Sequence, residues 1–403
     1  MKMVVAQLVV LIALSVVLAS CGNGGGGGSP SPVAPTAPQS LTAAGSLNNI
    51  HLSWTVSTGV NLAGYNVYKS SDGATFTKIT GTPVTGTSYD DAIVSPAGDG
   101  VYYSYKVTAR GDAESDYSGT VKSVHGTRLG ASLASGITTS TILSPYVVEG
   151  SVVSEGSVTV VTGTQLYVLE NSTLDILKGC SLFVNGLFRI IAVTAAPATL
   201  TSHATGTALG PNEGFRMALF SCVSYTMAGN GGTLLQNARI MNLKSGNSGG
   251  DSMDISGCKP KFSNLYIAAN NSSQAAKMNL SSSSGLSMQN CSLTGIYPML
   301  VGDQRTTGFQ MDHNIVTPGL WNYALDFLSS TTQPINAGQI SDNVFDSANQ
   351  LDVSFVTAGG NISLGNNYWK QGVPSIRYQG GSTSIPDFTP TLSSPPAGAG
   401  PTW

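Results

Sequence analysis

Leu234-Leu235-Gln236-Asn237-Ala238-Arg239-Ile240 decides the fold of this chain, because its frame returns five more times. The later copies are Phe262-Ser263-Asn264-Leu265-Tyr266-Ile267, Met288-Gln289-Asn290-Cys291-Ser292-Leu293, Met311-Asp312-His313-Asn314-Ile315-Val316, Ile340-Ser341-Asp342-Asn343-Val344-Phe345 and Leu364-Gly365-Asn366-Asn367-Tyr368-Trp369. Asn237, Asn264, Asn290, Asn314, Asn343 and Asn367 are separated by 27, 26, 24, 29 and 24 residues. Apolar, β-rich runs flank each one, without helical periodicity. A unit of this length cannot bury its apolar face alone and is stabilised by stacking on the next. Asn suits the corner of such a coil because it tolerates left-handed backbone angles and because stacked amides can bond from coil to coil. The sequence therefore predicts a parallel β-solenoid with these six asparagines as one structural column.

Upstream of Asn237, short β-branched segments break every few residues at Gly, Asn or Ser, as in Ser151-Val152-Val153, Leu166-Tyr167-Val168-Leu169 and Leu174-Asp175-Ile176-Leu177. This pattern resembles the first coils of right-handed parallel β-helix proteins of the pectate-lyase-like architecture. Leu364 to Trp369, followed by Ile385-Pro386-Asp387-Phe388-Thr389-Pro390, resembles their closing coil and cap. The resemblance implies a β-helix over 145–391, preceded by a connector at 128–144 and followed by a Pro/Gly-rich tail at 392–403. It carries no catalytic signature.

Residues 38–127 show short strands spaced as in a β-sandwich: Ile50 to Trp54, Tyr65 to Tyr68, Phe76 to Ile79 and Tyr103 to Ala109. Leu52-Ser53-Trp54, Gly64-Tyr65-Asn66-Val67-Tyr68 and Tyr103 to Ala109 resemble the landmarks of a fibronectin type III module. The resemblance implies that Trp54 packs between two sheets and that Tyr103 is the corner tyrosine. Arg110-Gly111-Asp112 follows the last of these strands, and a Gly-Asp turn accounts for it.

The N-terminus reads as an export signal. Lys2 precedes a mainly apolar run from Met3 to Leu18, short for a membrane span and ending in Leu18-Ala19-Ser20-Cys21. That tetrad resembles the bacterial lipobox, which implies a signal peptide over 1–20 and acylation of Cys21. Two or more acyl chains make a stable anchor. Gly22 after Cys21 implies, by the same resemblance, the outer membrane or cell surface. Residues 21–37 form a tether, flexible in its Gly run and stiffer in its Pro-rich part. No Gly-Lys-Ser/Thr follows the glycines, so they are not a phosphate loop.

Charged residues are only 10% of the chain, and once Lys2 is removed 17 basic residues face 21 acidic ones. Electrostatic capture of nucleic acid is excluded as the main activity. The four histidines are scattered, and no Cys-x-x-Cys occurs, so neither zinc nor c-type haem is expected. Cys180, Cys222, Cys258 and Cys291 allow three pairings or buried thiols. A Cys258–Cys291 pair is disfavoured by their different offsets from the Asn column.

A second column runs through Met253-Asp254-Ile255, Met278-Asn279-Leu280, Met299-Leu300-Val301, Leu325-Asp326-Phe327 and Leu351-Asp352-Val353. With apolar neighbours inward, the middle residues face outward: Asp254, Asn279, Leu300, Asp326 and Asp352. Asp326 and Asp352 would lie one coil apart, about 4.8 Å. Two such carboxylates repel unless they share a proton or a cation. They could hold calcium or act as a glycosidase pair, or they could simply keep the face wet. Lys277 and Arg305 are the nearby candidates for the base that a pectate lyase needs. The leading reading is a non-enzymatic surface lipoprotein that binds or scaffolds extracellular polymer, polysaccharide or another surface protein. It needs no cofactor beyond the calcium candidate. The alternative is a polysaccharide lyase or glycoside hydrolase using the Asp column.

Overall fold

The computed structural model describes residues 31–93, 99–210, 213–226, 231–244, 251–270, 276–281, 286–302, 309–318, 323–329, 339–346, 350–354, 362–379 and 386–402. The signal segment, Cys21 and Arg305 lie outside the described residues. The described chain is all β apart from one 3-10 turn, Thr141–Leu143. No helix among the described residues is long and apolar enough to cross a membrane.

Two antiparallel sheets form the N-terminal unit. One pairs Gln39–Gly45 with Asn49–Thr55 and that strand with Ser88–Ala92. The other runs Thr77–Lys78, Gly64–Ser70, Tyr103–Arg110, Val121–Ser123. Alternation along Tyr103–Arg110 turns Tyr105, Val107 and Ala109 inward, where they meet Ile50, Leu52 and Trp54 of the opposite sheet. Trp54 sits between the sheets as the sequence implies, its ring edge-on to Tyr65 at 5.3 Å. Tyr103 and Tyr105 differ in burial. Tyr105 is the fully buried one, and its hydroxyl donates to Asp91 Oδ2 at 2.6 Å. Tyr103 stays half-buried beneath the Lys69 ammonium, 3.9 Å from the ring centre. Both tyrosines share one face of the strand, so alternation alone cannot separate them. Asp112 accepts from Asn61 Nδ2, which closes the Gly-Asp turn.

The rest of the chain is a right-handed parallel β-solenoid with three strand ladders. The ten-stranded ladder runs from Ile137–Thr138 to Ser375–Gln379. Pairing starts earlier than Pro145. Thr127–Arg128, Ser132–Leu133 and Ile137–Thr138 pair with the next coil, so the 128–144 connector already contributes strands. Strands of two residues are too short to show an alternating pattern in the sequence. Inward residues stack in columns: Ile240, Ile267, Leu293, Val316, Phe345 and Trp369 follow one another in register and are all buried. The last two rings stack at 4.2 Å. Each such side chain is worth about 1.5–3 kcal/mol on burial, so the columns supply most of the cohesion.

The Asn column is two columns, offset by one residue. Asn237, Asn264 and Asn290 carry left-handed backbones themselves, with φ of 50°, 54° and 53°. In the next three coils that position belongs to His313, Asp342 and Asn366. Asn314, Asn343 and Asn367 then fall one place later, fully buried and in register with Cys291. Asn343 Oδ1 accepts from Asn314 N and Nδ2, and Asn367 Oδ1 accepts from Asn343 N and Nδ2, at 2.9–3.0 Å. Each of these frames puts a second polar residue of the left-handed-tolerant kind before the Asn. The turn keeps its register, and the Asn, one place later, is freed to point its amide inward. The tail follows this corner in reverse: Leu392 N donates to Asn367 O, Gly400 N to His313 O, and Thr402 N to Asn264 Oδ1.

Candidate functional site

The column exists as a backbone register, with one correction. Ala218, Asp254 and Asn279 pair in sequence, then Met299, Asp326, Asp352 and Arg377. Met299, not Leu300, continues the column, because Pro298 takes the place opposite Met278 that the Met-x-apolar pattern assigned to Met299. Asp254 is not open to a ligand. Arg216 Nε reaches its Oδ2 at 2.7 Å and Asn279 Nδ2 donates to its Oδ1 at 3.2 Å, while its side chain is only 6% exposed. Asp326 and Asp352 are register partners, and Asp326 is half-buried. The side chain of Asp352 lies outside the described ones. Lys277 pairs with Asp251 on one side and Tyr297 on the other. No cluster of three or more His, Cys, Asp or Glu side chains suited to a metal ion occurs among the described residues.

A second site lies where the sandwich meets the solenoid, and the sequence reading did not foresee it. Val124, just past the last sandwich strand, packs with Val147, Tyr167 and Leu169 of the first solenoid coils, and Tyr102 joins them. Gly100 lies so close that a Cβ there would come within 2.8 Å of the Tyr167 ring, and its φ of 67° also requires glycine. Tyr167 OH donates to Gln165 Oε1, and Gln165 Nε2 to Asp99 Oδ2. On its other side the Asp99 carboxylate faces His125 Nε2 at 2.9 Å. His125 Nδ1 lies 3.0 Å from Leu47 O, so both ring nitrogens face acceptors, the arrangement an imidazolium satisfies. Burial alone would lower the His125 pKa. The hydrogen bonds to Asp99 and Leu47 O outweigh it and hold the pKa above the ordinary histidine value. Lys122 adds a 2.6 Å ion pair to Glu170.

This seam leaves a cleft of about 820 Å³ beside it. Tyr102, Tyr225, Arg189, Gln165 and Gln236 line it, with Tyr167 at its base. Arg189 is fixed by an Nε bond to Gly232 O at 2.9 Å, which leaves its Nη groups as donors. One sequence signal did mark the place. Arg189 is the lone charge in the apolar strand Leu187–Ile191, whose alternation turns it outward. The partners from the sandwich, Asp99 and Tyr102, carried no such signal.

No protein-family model and no curated protein matches the chain. Among solved structures, an Fn3-like protein of Clostridium thermocellum is 30% identical over 22% of this chain and 92% of its own, with a TM-score of 0.19. A pectate lyase of Erwinia chrysanthemi, solved with tetragalacturonic acid, is 11% identical over 70% of this chain and 85% of its own, with a TM-score of 0.19. A family 28 exopolygalacturonase of Yersinia enterocolitica is 9% identical over 87% and 98%, also at 0.19.

Proposed function

We propose that this chain is an exported bacterial lipoprotein, anchored through Cys21, that binds an extracellular polysaccharide without cleaving it. Residues 38–127 are then a fibronectin type III spacer that docks on the β-helix to complete the binding cleft. The cleft at that seam carries the reading: tyrosine rings offer flat apolar surface to sugar rings, while Gln165, Gln236 and Arg189 offer hydrogen bonds to hydroxyl or carboxyl groups. Its one carboxylate among the described lining residues, Asp99, already has His125 and Gln165 as partners. An acid–base pair for glycoside cleavage needs two carboxylates.

Titration calorimetry of the purified chain against neutral and acidic oligosaccharides tests this. Arg189→Ala is expected to weaken glycan binding tenfold or more with melting temperature nearly unchanged, and Tyr102→Ala to weaken it as much while also lowering the melting temperature, because that ring packs in the seam. Binding that ignores both substitutions would remove the cleft from consideration. The second reading rests on the Asp326–Asp352 register, whose spacing of about 4.8 Å is near the 5–5.5 Å of a retaining pair. New reducing ends or unsaturated products, abolished by Asp326→Asn, would establish it instead.

A further inference from the structure

Cys222 and Cys258 stand over one another at one turn of the solenoid. Arg216–Phe220 pairs in parallel with Asp251–Ser256, Phe220 opposite Ser256. The pairing continues past the strand ends, where Ser221 N donates to Ser256 O at 2.8 Å. Ser221 and Gly257 both adopt left-handed angles, φ 53° and 67°, so the two coils make the same turn at the same place. Cys222 and Cys258 follow at equivalent positions. Strand spacing sets their Cα atoms about 4.8 Å apart, inside the roughly 4.4–6.8 Å that a disulfide spans. Both side chains turn into the core, 4% and 1% exposed, both thiols are free, and the Cys258 thiol donates to Leu219 O at 3.5 Å. Closing a bond asks for a shift of under about 1 Å between the Cβ atoms. Cys291 is remote from this turn, buried in the corner column beside Asn314. Cys180 precedes the strand Ser181–Val184.

We propose that Cys222 and Cys258 close a disulfide in the mature chain, a reading that rests on the export argued above. The chemistry is thiol–disulfide exchange with an oxidised dithiol carrier of the exported compartment. Both thiols lose a proton and, between them, two electrons as the sulfur–sulfur bond forms. The carrier's disulfide breaks and leaves as two thiols. Because the pair is buried, exchange takes place while the coils are still assembling.

The test starts from full-length chain recovered from cell envelopes without reductant, alkylated in denaturant and mapped by mass spectrometry. The expected result is a linked Cys222–Cys258 peptide pair, two hydrogen atoms lighter than the separate peptides, with Cys180 and Cys291 alkylated. In parallel, the reduced chain is refolded with oxidised glutathione. Alkylation of Cys222 and Cys258 in both samples overturns the pairing, as does linkage of either to Cys180 or Cys291. Linkage on refolding with free thiols in the envelope sample supports the pairing and counts against export instead.

Discussion

The two ends of the solenoid carry the same apolar columns but are locked by different polar devices. Near its N-terminal end the coils lie under the sandwich, and the Asp99–His125 pair with Gln165 and Tyr167 spans the seam. Towards the C-terminal end the lock is internal: Asn314, Asn343 and Asn367 bond from coil to coil inside the corner. Apolar burial is non-directional, so columns of Ile, Leu and Val would tolerate sliding. Directional bonds fix the register that burial leaves loose, because a slip of one residue unpairs them all. One end borrows those bonds from another domain, and the other makes them from its own repeat.

The largest expected effect lies in the internal lock. Asn343→Leu removes the amide donor to the Met311 and Ser341 carbonyls, strands the Asn314 N–H, and takes one of two bonds each from Asn314 Nδ2 and Asn367 Oδ1. At about 1–3 kcal/mol per unsatisfied group after partial relaxation, roughly 3–5 kcal/mol should be lost. Denaturant unfolding checks this, and a loss below 1 kcal/mol would make the ladder incidental.

At the borrowed lock, His125→Leu leaves the Asp99 carboxylate without its cationic partner and should cost about 3 kcal/mol. Its pH signature separates it from the amide ladder. The folded pKa of His125 is raised, so its stabilising contribution is complete below the unfolded value of about 6.5 and is lost as pH rises through the folded value. Melting temperature in the wild type should therefore carry a falling component on the alkaline side that His125→Leu lacks. Equal pH profiles would mean that the pair holds nothing across the seam.

The smallest effect distinguishes the two halves of the corner itself. Asn290 has the left-handed backbone but no place in the buried ladder. Asn290→Ala should cost about 1–2 kcal/mol from backbone strain, and Asn290→Gly close to nothing. If Asn290→Gly destabilises as much as Asn343→Leu, the split between backbone and ladder asparagines is wrong.

Much of this was legible in the chain. The 24–29 residue recurrence, the β-rich frames and the alternation around Asp254, Asn279, Asp326 and Asp352 depend on neighbours within a few residues, which local physics fixes. The Asp326–Asp352 register came through because both coils carry the same Leu-Asp-apolar triplet. The Met299 position did not, since Pro298 occupies the methionine slot and a pattern match cannot feel pairing. Nor could spacing tell that the left-handed residue shifts from Asn290 to His313, because either of two adjacent polar residues can take that angle.

What the sequence determined by itself is the repeat, since a coil that cannot bury its own apolar face must stack. What only the tertiary structure decided is which distant groups meet. Arg216 takes Asp254 away from any ligand, Cys222 lies over Cys258, and Asp99, sixty-six residues before Gln165, closes the cleft with it. Such contacts depend on how coils and domains are set against one another, a choice made by the summed packing of the whole molecule and by no short stretch of chain.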